Sequence, residues 1–485
     1  MTTQLDAPGA HDPARAAAAS ADTASRPETR GIELVADAER HGRARDLVLV
    51  WAAPGVSILN LTVGATLILL GLEVWQAIAV ILAAAVLWIL PGLIAASGPA
   101  AGTSGSIITR AMYGVLGNRV FVTFVGWLIG AVYMALTWLA SSFMGADLLR
   151  RIGIADPVWV PIGVTVVVAA ITILVAIFGH ALILSVYPIL AAVLLVLFVA
   201  VTVAILPTVD WSYAAPAPLE GVALASAISI GFTILASTPL SFINSPDIAR
   251  YLPRSTSPWR IALATAVGGA VPFTIFTIVG VLLATGLDAA AVAVGIDAAL
   301  FDLLPAWLGP VLVAGVVLNT IALSAMTAYT SSMALQAIGL RLQRIPAAIV
   351  VGVVGTALTI ALVLTSSLLQ AVNLMLQFLV IVASPAMAIF VVDVVLRRVR
   401  YDGVELFDDQ RGGRYWYTGG WGLPGLVALV AGGAAAAVCL ATDVWVGPVA
   451  LALGVVDLSV PAGMLVAGIL YALLQRTPIA KDGRP

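Results

Sequence analysis

The chain has 485 residues, of which 61% are hydrophobic and only 10% charged, with a mean hydropathy of +1.08 and a formal net charge of −2. A soluble globular domain carries about 25% charged residues because its surface faces water, so this composition excludes one. The single cysteine, Cys439, lies in an apolar run and excludes a disulfide framework or a cysteine metal cluster.

Residues 1–46 are rich in Ala, Asp and Arg and hold no apolar stretch that could act as a signal peptide. Residues 1–27 read as a disordered tail. Beyond them come a dozen runs long enough to cross a hydrocarbon core of about 30 Å. They fall near 47–71, 75–97, 119–146, 158–179, 182–206, 221–246, 260–286, 310–340, 346–366, 369–395, 421–441 and 456–475. None shows the period-two alternation of barrel strands, and backbone in lipid must pair internally. The expectation is therefore an all-α polytopic membrane protein of about 12 transmembrane helices.

Arginine placement gives an orientation. With the amino terminus cytoplasmic, 21 of the 23 basic residues fall inside, and only Arg150 and Arg151 fall outside, as the positive-inside rule requires. The outer loops collect Glu73, Asp156, Asp210, Glu220, Asp288, Asp297 and Asp302. Both termini are then cytoplasmic, in a cytoplasmic (inner) membrane. The use of Arg with one Lys, beside abundant Ala, suggests a GC-rich bacterial genome.

Span 1 is interrupted at Pro54-Gly55-Val56-Ser57-Ile58-Leu59-Asn60, and span 6 at Ser237-Thr238-Pro239-Leu240-Ser241-Phe242-Ile243-Asn244-Ser245-Pro246. Irregular backbone at membrane depth is tolerated only around a cavity. The two breaks lie five spans apart, so a second five-helix copy would enter the membrane from the opposite face, as in inverted-repeat transporters with a midplane site. The bland alternative is that the small residues permit close helix packing. Asn60, Ser237, Thr238 and Ser241 are the candidate site residues at these breaks. The implied organisation is a tail (1–46), a first repeat (47–206), a second repeat (221–395), a cytoplasmic loop (396–420), spans 11 and 12 (421–476) and a short tail (477–485).

Span 3 places Trp127 and Trp138 on one face. Trp127, about eight residues into its helix, is the candidate for stacking a planar ring. Trp51, Trp75, Trp159, Trp307 and Trp421 lie near span ends and read as interfacial belt residues. Thr320, Ser324, Thr327 and Ser331 form a hydroxyl stripe along span 8, which either lines a solute path or back-bonds to carbonyls. Asn319 lies one position off it. In span 10, Asn373 and Gln377 share a face and either line the cavity or bond a neighbouring helix. No charge falls at mid-membrane: Asp147, Asp247, Asp393 and Asp457 sit at span ends, where water reaches them. Such a site suits a neutral, hydrogen-bonding solute.

Several segments resemble the purine–cytosine permeases of the nucleobase:cation symporter-1 family. They are the lead-in from Gly31 to Val35 and from Glu39 to Leu47 with Trp51, the loop Ser104-Gly105…Arg110…Gly114-Val115-Leu116-Gly117-Asn118, and Pro246-Asp247-Ile248-Ala249-Arg250-Tyr251-Leu252-Pro253. The likeness covers roughly residues 30 to 475. It implies a leucine-transporter-type fold of two inverted five-helix repeats plus two C-terminal helices. It also implies symport of a nucleobase or related ring with Na⁺ or H⁺, by alternating access. By motif, Trp127 falls at the family's stacking Trp, and Ser237, Thr238 and Ser241 at its span 6 contacts. Ser324 and Thr327 fall where the family often has amides, while Phe242 and Phe232 are off register for a second stacking wall. The positions of the sodium-site hydroxyls read Ala322 and Leu323, which argues against the usual sodium site, while no titratable group for proton coupling stands at depth, so both ions stay open.

The expected substrate set is thus Trp127, Asn60, Ser237, Thr238, Ser241, Ser324, Thr327 and Gln377. No cofactor or metal is expected beyond the coupling ion, Na⁺ or H⁺. The expected partners are a small-molecule substrate and the lipid bilayer, without nucleic acid, around a monomer. An amino-acid, vitamin or ureide carrier on the same fold is the alternative. A remote one is an intramembrane serine protease, suggested by Gly102-Thr103-Ser104-Gly105 with His180; there is no HExxH zinc motif.

Overall fold

The computed structural model describes residues 27–28, 31–153, 159–287, 296–340, 342–365 and 368–477. The tail before residue 27, the acids Asp156 and Asp288, and the basic residues Arg15, Arg26, Arg30, Arg341, Lys481 and Arg484 lie outside the described residues, as does the side chain of Asp297.

The protein is an all-α polytopic membrane protein with a five-plus-five inverted repeat and two further helices. Nine helices of the described residues are long and apolar enough to cross a membrane. They are Val74–Ala101, Val115–Arg151, Trp159–Phe178, His180–Thr208, Gly221–Ala249, Pro258–Thr285, Leu308–Ala337, Arg344–Thr365 and Val372–Leu396. These are spans 2 to 10. Span 1 is a bent pair, half-helices 1a (Asp46–Gly55) and 1b (Ile58–Leu69), which meet at 59°. Spans 11 and 12 are the shorter apolar helices Leu423–Cys439 and Ser459–Leu474. Each corresponds one for one with a run read from hydropathy.

Packing follows the same repeat. Span 7 lies along 1a, 1b and span 2, and span 6 packs on span 2 and 1b, so spans 1, 2, 6 and 7 form one group. Spans 3, 4, 8 and 9 pack against one another as a second group. Span 5 rests on 1a and span 8, and span 10 rests on span 6 and span 3. Advancing each helix by five maps these contacts onto one another. Spans 11 and 12 pair with each other and against span 10.

One face of the molecule, here the terminal face, carries residues 31–46 and the loops after spans 2, 6 and 10. There His41 N donates to Tyr251 O, Val35 N to Gly102 O and Arg110 Nη1 to Leu406 O. All described basic residues except Arg150 and Arg151 belong to this face. Those two pair with Asp147 and Asp302 at the other. Burial pushes the Arg40 guanidinium below its usual range, ahead of repulsion from Arg254, while Asp37 pulls the other way.

Two readings need correction. Asp247, Asp393 and Asp457 are not open to water but buried, at 0%, 1% and 2% exposure, because the terminal-face loops and neighbouring helix ends fold over them. Each has hydrogen-bond donors, as a buried carboxylate requires: Gly105 N to Asp247, Tyr401 and Tyr471 hydroxyls to Asp393, and Ala441 N to Asp457. Trp75, Trp159, Trp307 and Trp421 lie exposed at helix ends, but Trp51 is buried at 2%. The bend in span 1 turns 1a, and its tryptophan with it, toward the interior.

Spans 1 and 7 touch backbone to backbone. A Cβ on Gly64 would overlap the Thr277 carbonyl, and one on Gly280 would overlap that of Leu61. Gly64→Val should therefore lower thermal stability of the purified protein, by about 1–3 kcal/mol of overpacking strain. Gly163→Ala, which meets nothing within 4 Å, should leave it unchanged or slightly raised in the same melting assay.

Candidate binding site at the helix breaks

Breaking a helix in an apolar medium leaves carbonyls without donors, and each must be satisfied. In span 1 two asparagines do this. Asn60 Nδ2 donates to Gly55 O at 2.7 Å, and Asn319 Nδ2 of span 8 donates to Ala53 O and Pro54 O at 3.1 and 3.3 Å. Ser57 caps half-helix 1b, its Oγ accepting from Leu59 N. The span 6 break follows Pro239: the helix ends at Ser241, and Phe242 leaves it at φ −83°, ψ 47°. Ser245 then anchors the turn through Oγ to Pro91 O at 2.6 Å.

Two cavities lie at these breaks and share Trp51, Tyr133 and Phe242. One is lined by Gly126, Gly130, Ser241, Asn244, Ile248, Met326, Thr327, Thr330 and Ser331 with the three aromatics. The other adds Ser57, Asn60, Trp88, Thr238, Leu323, Val372 and Leu376. The Trp51 and Phe242 rings meet edge-on, centroids 5.0 Å apart at 90°, and Trp88 lies over Phe242 at 5.3 Å and 31°. The Tyr133 hydroxyl lies against Thr238 and Ser241. Among the described residues, no side chain that carries charge lines either cavity. The site is an aromatic slot edged by hydroxyls and amides.

Of the residues expected here, Asn60, Thr238, Ser241 and Thr327 line a cavity. Ser237 does not; it is fully buried and back-bonds to Ile234 O. Ser324 shares a 2.7 Å hydrogen bond with Thr137, and Thr320 accepts from Ser141. The span 8 stripe thus divides: its outer half ties spans 3 and 8 together, and its inner half, Thr327 and Ser331, faces the cavity. In span 10, Val372 and Leu376 line the second cavity, one position from Asn373 and Gln377.

Trp127 lines neither cavity. The turn Val122–Leu128 is a π-helix, and the Trp127 ring packs with Trp138 against spans 8 and 9 through Ala328, Leu335 and Ala347. The cavity face of span 3 is instead Gly126, Gly130 and Tyr133, spaced i, i+4 and i+7. That pattern was legible beside the tryptophan but is quieter. Phe242, which looked out of register, is central because the broken backbone no longer follows helical phase. Ser104 Oγ has no hydrogen-bond partner, and His180 Nε2 contacts Ile248 O, so the two form no catalytic pair.

Comparison with known proteins gives the context. Residues 34–463 match the family described as permease for cytosine/purines, uracil, thiamine, allantoin. The chain is similar to the purine-cytosine permease YxlA of Bacillus subtilis (strain 168), 28% identical over 263 residues, or 54% of this chain and 55% of that protein. The match thus spans about half of that relative's length. Among solved structures it is similar to Mhp1, a nucleobase-cation-symport-1 family transporter, in a closed conformation with bromovinylhydantoin bound. The TM-score is 0.72 at 18% identity, covering 93% of this chain and 95% of that one. Inward-facing Mhp1 gives 0.66 at 18%, covering 95% and 100%. At such identity the likeness shows the fold.

Asn319→Leu keeps the volume but strips the donor from two buried carbonyls. It should destabilise the protein by about 1–3 kcal/mol, the cost of an unsatisfied buried polar group, read as a lower melting temperature. Asn373→Leu, at the rim of span 10, should change it by less than about 1 kcal/mol.

Proposed function

The chain belongs to the family of permeases for cytosine/purines, uracil, thiamine and allantoin, and from that premise we propose that it imports a neutral nucleobase-like ring by cation symport. Membership makes it a transporter rather than an enzyme. The observation that carries the substrate reading is the pairing of aromatic walls with an uncharged polar rim. A planar heterocycle stacks on Trp51, with the perpendicular Phe242 ring at its edge, and offers edge donors and acceptors to Ser241, Asn244, Thr327, Thr330 and Ser331. Aromatic pairs of this kind contribute about 0.5–1.5 kcal/mol beyond area burial. Thiamine carries a fixed positive charge and an amino acid a carboxylate. Neither finds a counter-charge among the lining residues, so both fit less well than cytosine, a purine, uracil or the uncharged ureide allantoin.

The terminal face is the cytoplasmic one, on the strength of its arginines, and the membrane is the inner membrane of a bacterium. The two groups of packed helices move against each other about the breaks to alternate access. For the coupling ion the reading is H⁺. The span 1 carbonyls that a bare cation would use already accept from Asn60 and Asn319. Asp247, buried beyond the span 6 break, has one oxygen, Oδ2, without a hydrogen-bond partner and is placed to take a proton.

In proteoliposomes, labelled cytosine, adenine, hypoxanthine, uracil and allantoin, each competed by the others, should identify the substrate. Transport of thiamine alone, or of amino acids alone, would overturn the proposal. Trp51→Leu should raise KM about tenfold, the equivalent of about 1.4 kcal/mol of lost stacking, while Trp127→Leu should leave KM within about twofold. Uptake should follow an imposed pH gradient in choline medium at the same rate as in sodium medium. Strict dependence on Na⁺ would contradict the proton assignment.

A further inference from the structure

The segment that precedes span 1 reaches into the terminal face with a buried carboxylate. The Glu28 side chain is 2% exposed, although it lies well before any helix. Its Oε1 accepts from the Tyr251 hydroxyl at 2.8 Å, the Tyr329 hydroxyl at 3.3 Å and Arg250 Nη2 at 3.5 Å. Its Oε2 accepts from the His180 backbone N at 2.9 Å, and Glu28 N donates to Ile177 O at 3.1 Å. The pocket is shaped for it: Gly179 stands at φ +76°, and a Cβ there would overlap the Glu28 carboxylate. Arg250, itself fully buried, donates its second nitrogen to Gly31 O at 2.7 Å.

These contacts join parts that belong to different halves of the mechanism. Arg250 and Tyr251 follow span 6, in the group of spans 1, 2, 6 and 7. Tyr329 belongs to span 8, in the group of spans 3, 4, 8 and 9, while Ile177 and His180 flank the turn between spans 4 and 5. Immediately above them, Ile248 and Thr330 line the aromatic cavity. Glu28 thus ties the end of span 6 to span 8 beside that cavity.

We propose that Glu28 is a positioning residue of the transport cycle: its carboxylate locks the cytoplasmic exit shut, and its withdrawal lets the cavity open inward. The proposal rests on the assignment of the terminal face to the cytoplasm, but not on which solute is carried. One carboxylate bridging two hydroxyls, a guanidinium and an amide couples the closure of the two helix groups to the seating of Glu28. Hydrogen bonds to a charged group are the strong ones, and a closed state held by several of them is depopulated when the charge is removed.

The test uses the full chain with Thr330→Cys in the cavity, in a Cys439→Ser background, in right-side-out and inside-out vesicles. A membrane-impermeant maleimide reports access from each side. Glu28→Ala should speed labelling from the cytoplasmic side about tenfold, the shift expected from losing a charge-assisted hydrogen bond. Glu28→Asp should fall between Glu28→Ala and the parent. Tyr251→Phe, which removes one of the donors to Glu28 and an acceptor of Arg250 but leaves the carboxylate in place, should act in the same direction by less and serves if Glu28→Ala does not fold. Equal labelling of the parent and of either removing variant, within about twofold, would overturn the proposal. Acceleration confined to the opposite side would uphold the lock and overturn the assignment of sides.

Discussion

A helix cannot be broken in hydrocarbon unless its freed carbonyls find donors, and this fold depends on how span 1 meets that demand. Asn60 takes the Gly55 carbonyl from within the same span, and Asn319 takes those of Ala53 and Pro54 from span 8. The second bond reaches across the boundary between the two packed groups of helices. It holds half-helix 1a at the 59° bend that brings Trp51 inside. Without those amides the break would be an uncompensated cost of several kcal/mol, and no slot would form.

The same bond links structure to coupling. Half-helix ends are natural ion sites because their backbone groups are free. Here the Ala53, Pro54 and Gly55 carbonyls already accept hydrogen bonds, which makes the break a structural joint. The remaining chemistry of the site is then also neutral: aromatic faces, hydroxyls and amides. Charge is kept out of the slot, in the Glu28–Arg250 and Asp393–Arg397 pairs of the terminal face and the Arg151–Asp147 and Arg151–Asp302 pairs of the other. The slot proposed for an uncharged solute is thus set apart from these ion pairs.

Much of this was legible in the sequence. Hydropathy placed every span, and the Pro, Gly and Asn clusters marked both breaks, because such residues weaken a long apolar helix unless its backbone departs from the helix there. Within the site the reading was less complete. Trp51 lies near a span end and resembles a belt residue; only the bend shows that the end points inward. Trp127 stands at helical depth, but one π-helical turn sets Gly126, Gly130 and Tyr133 toward the cavity instead. Phe242 could not be placed by helical phase, since phase is lost at the break. Glu28 belongs to a stretch whose composition reads as a tail, and the partners of its carboxylate lie more than 150 residues away in sequence. Asp247 looked water-accessible because burial by loops leaves no local pattern.

The slot lined by Trp51, Tyr133 and Phe242 at the paired breaks, proposed here to take a neutral planar ring, is tested by photolabelling. An azido-substituted purine, followed by peptide mass spectrometry, reports which segments touch it. Adducts are expected within residues 51–60, 130–133, 238–244 and 326–331, all suppressed by excess unlabelled base. Competable adducts centred on Trp127 and the helix face it shares with Trp138, with none at the breaks, would place the ring elsewhere and refute the slot.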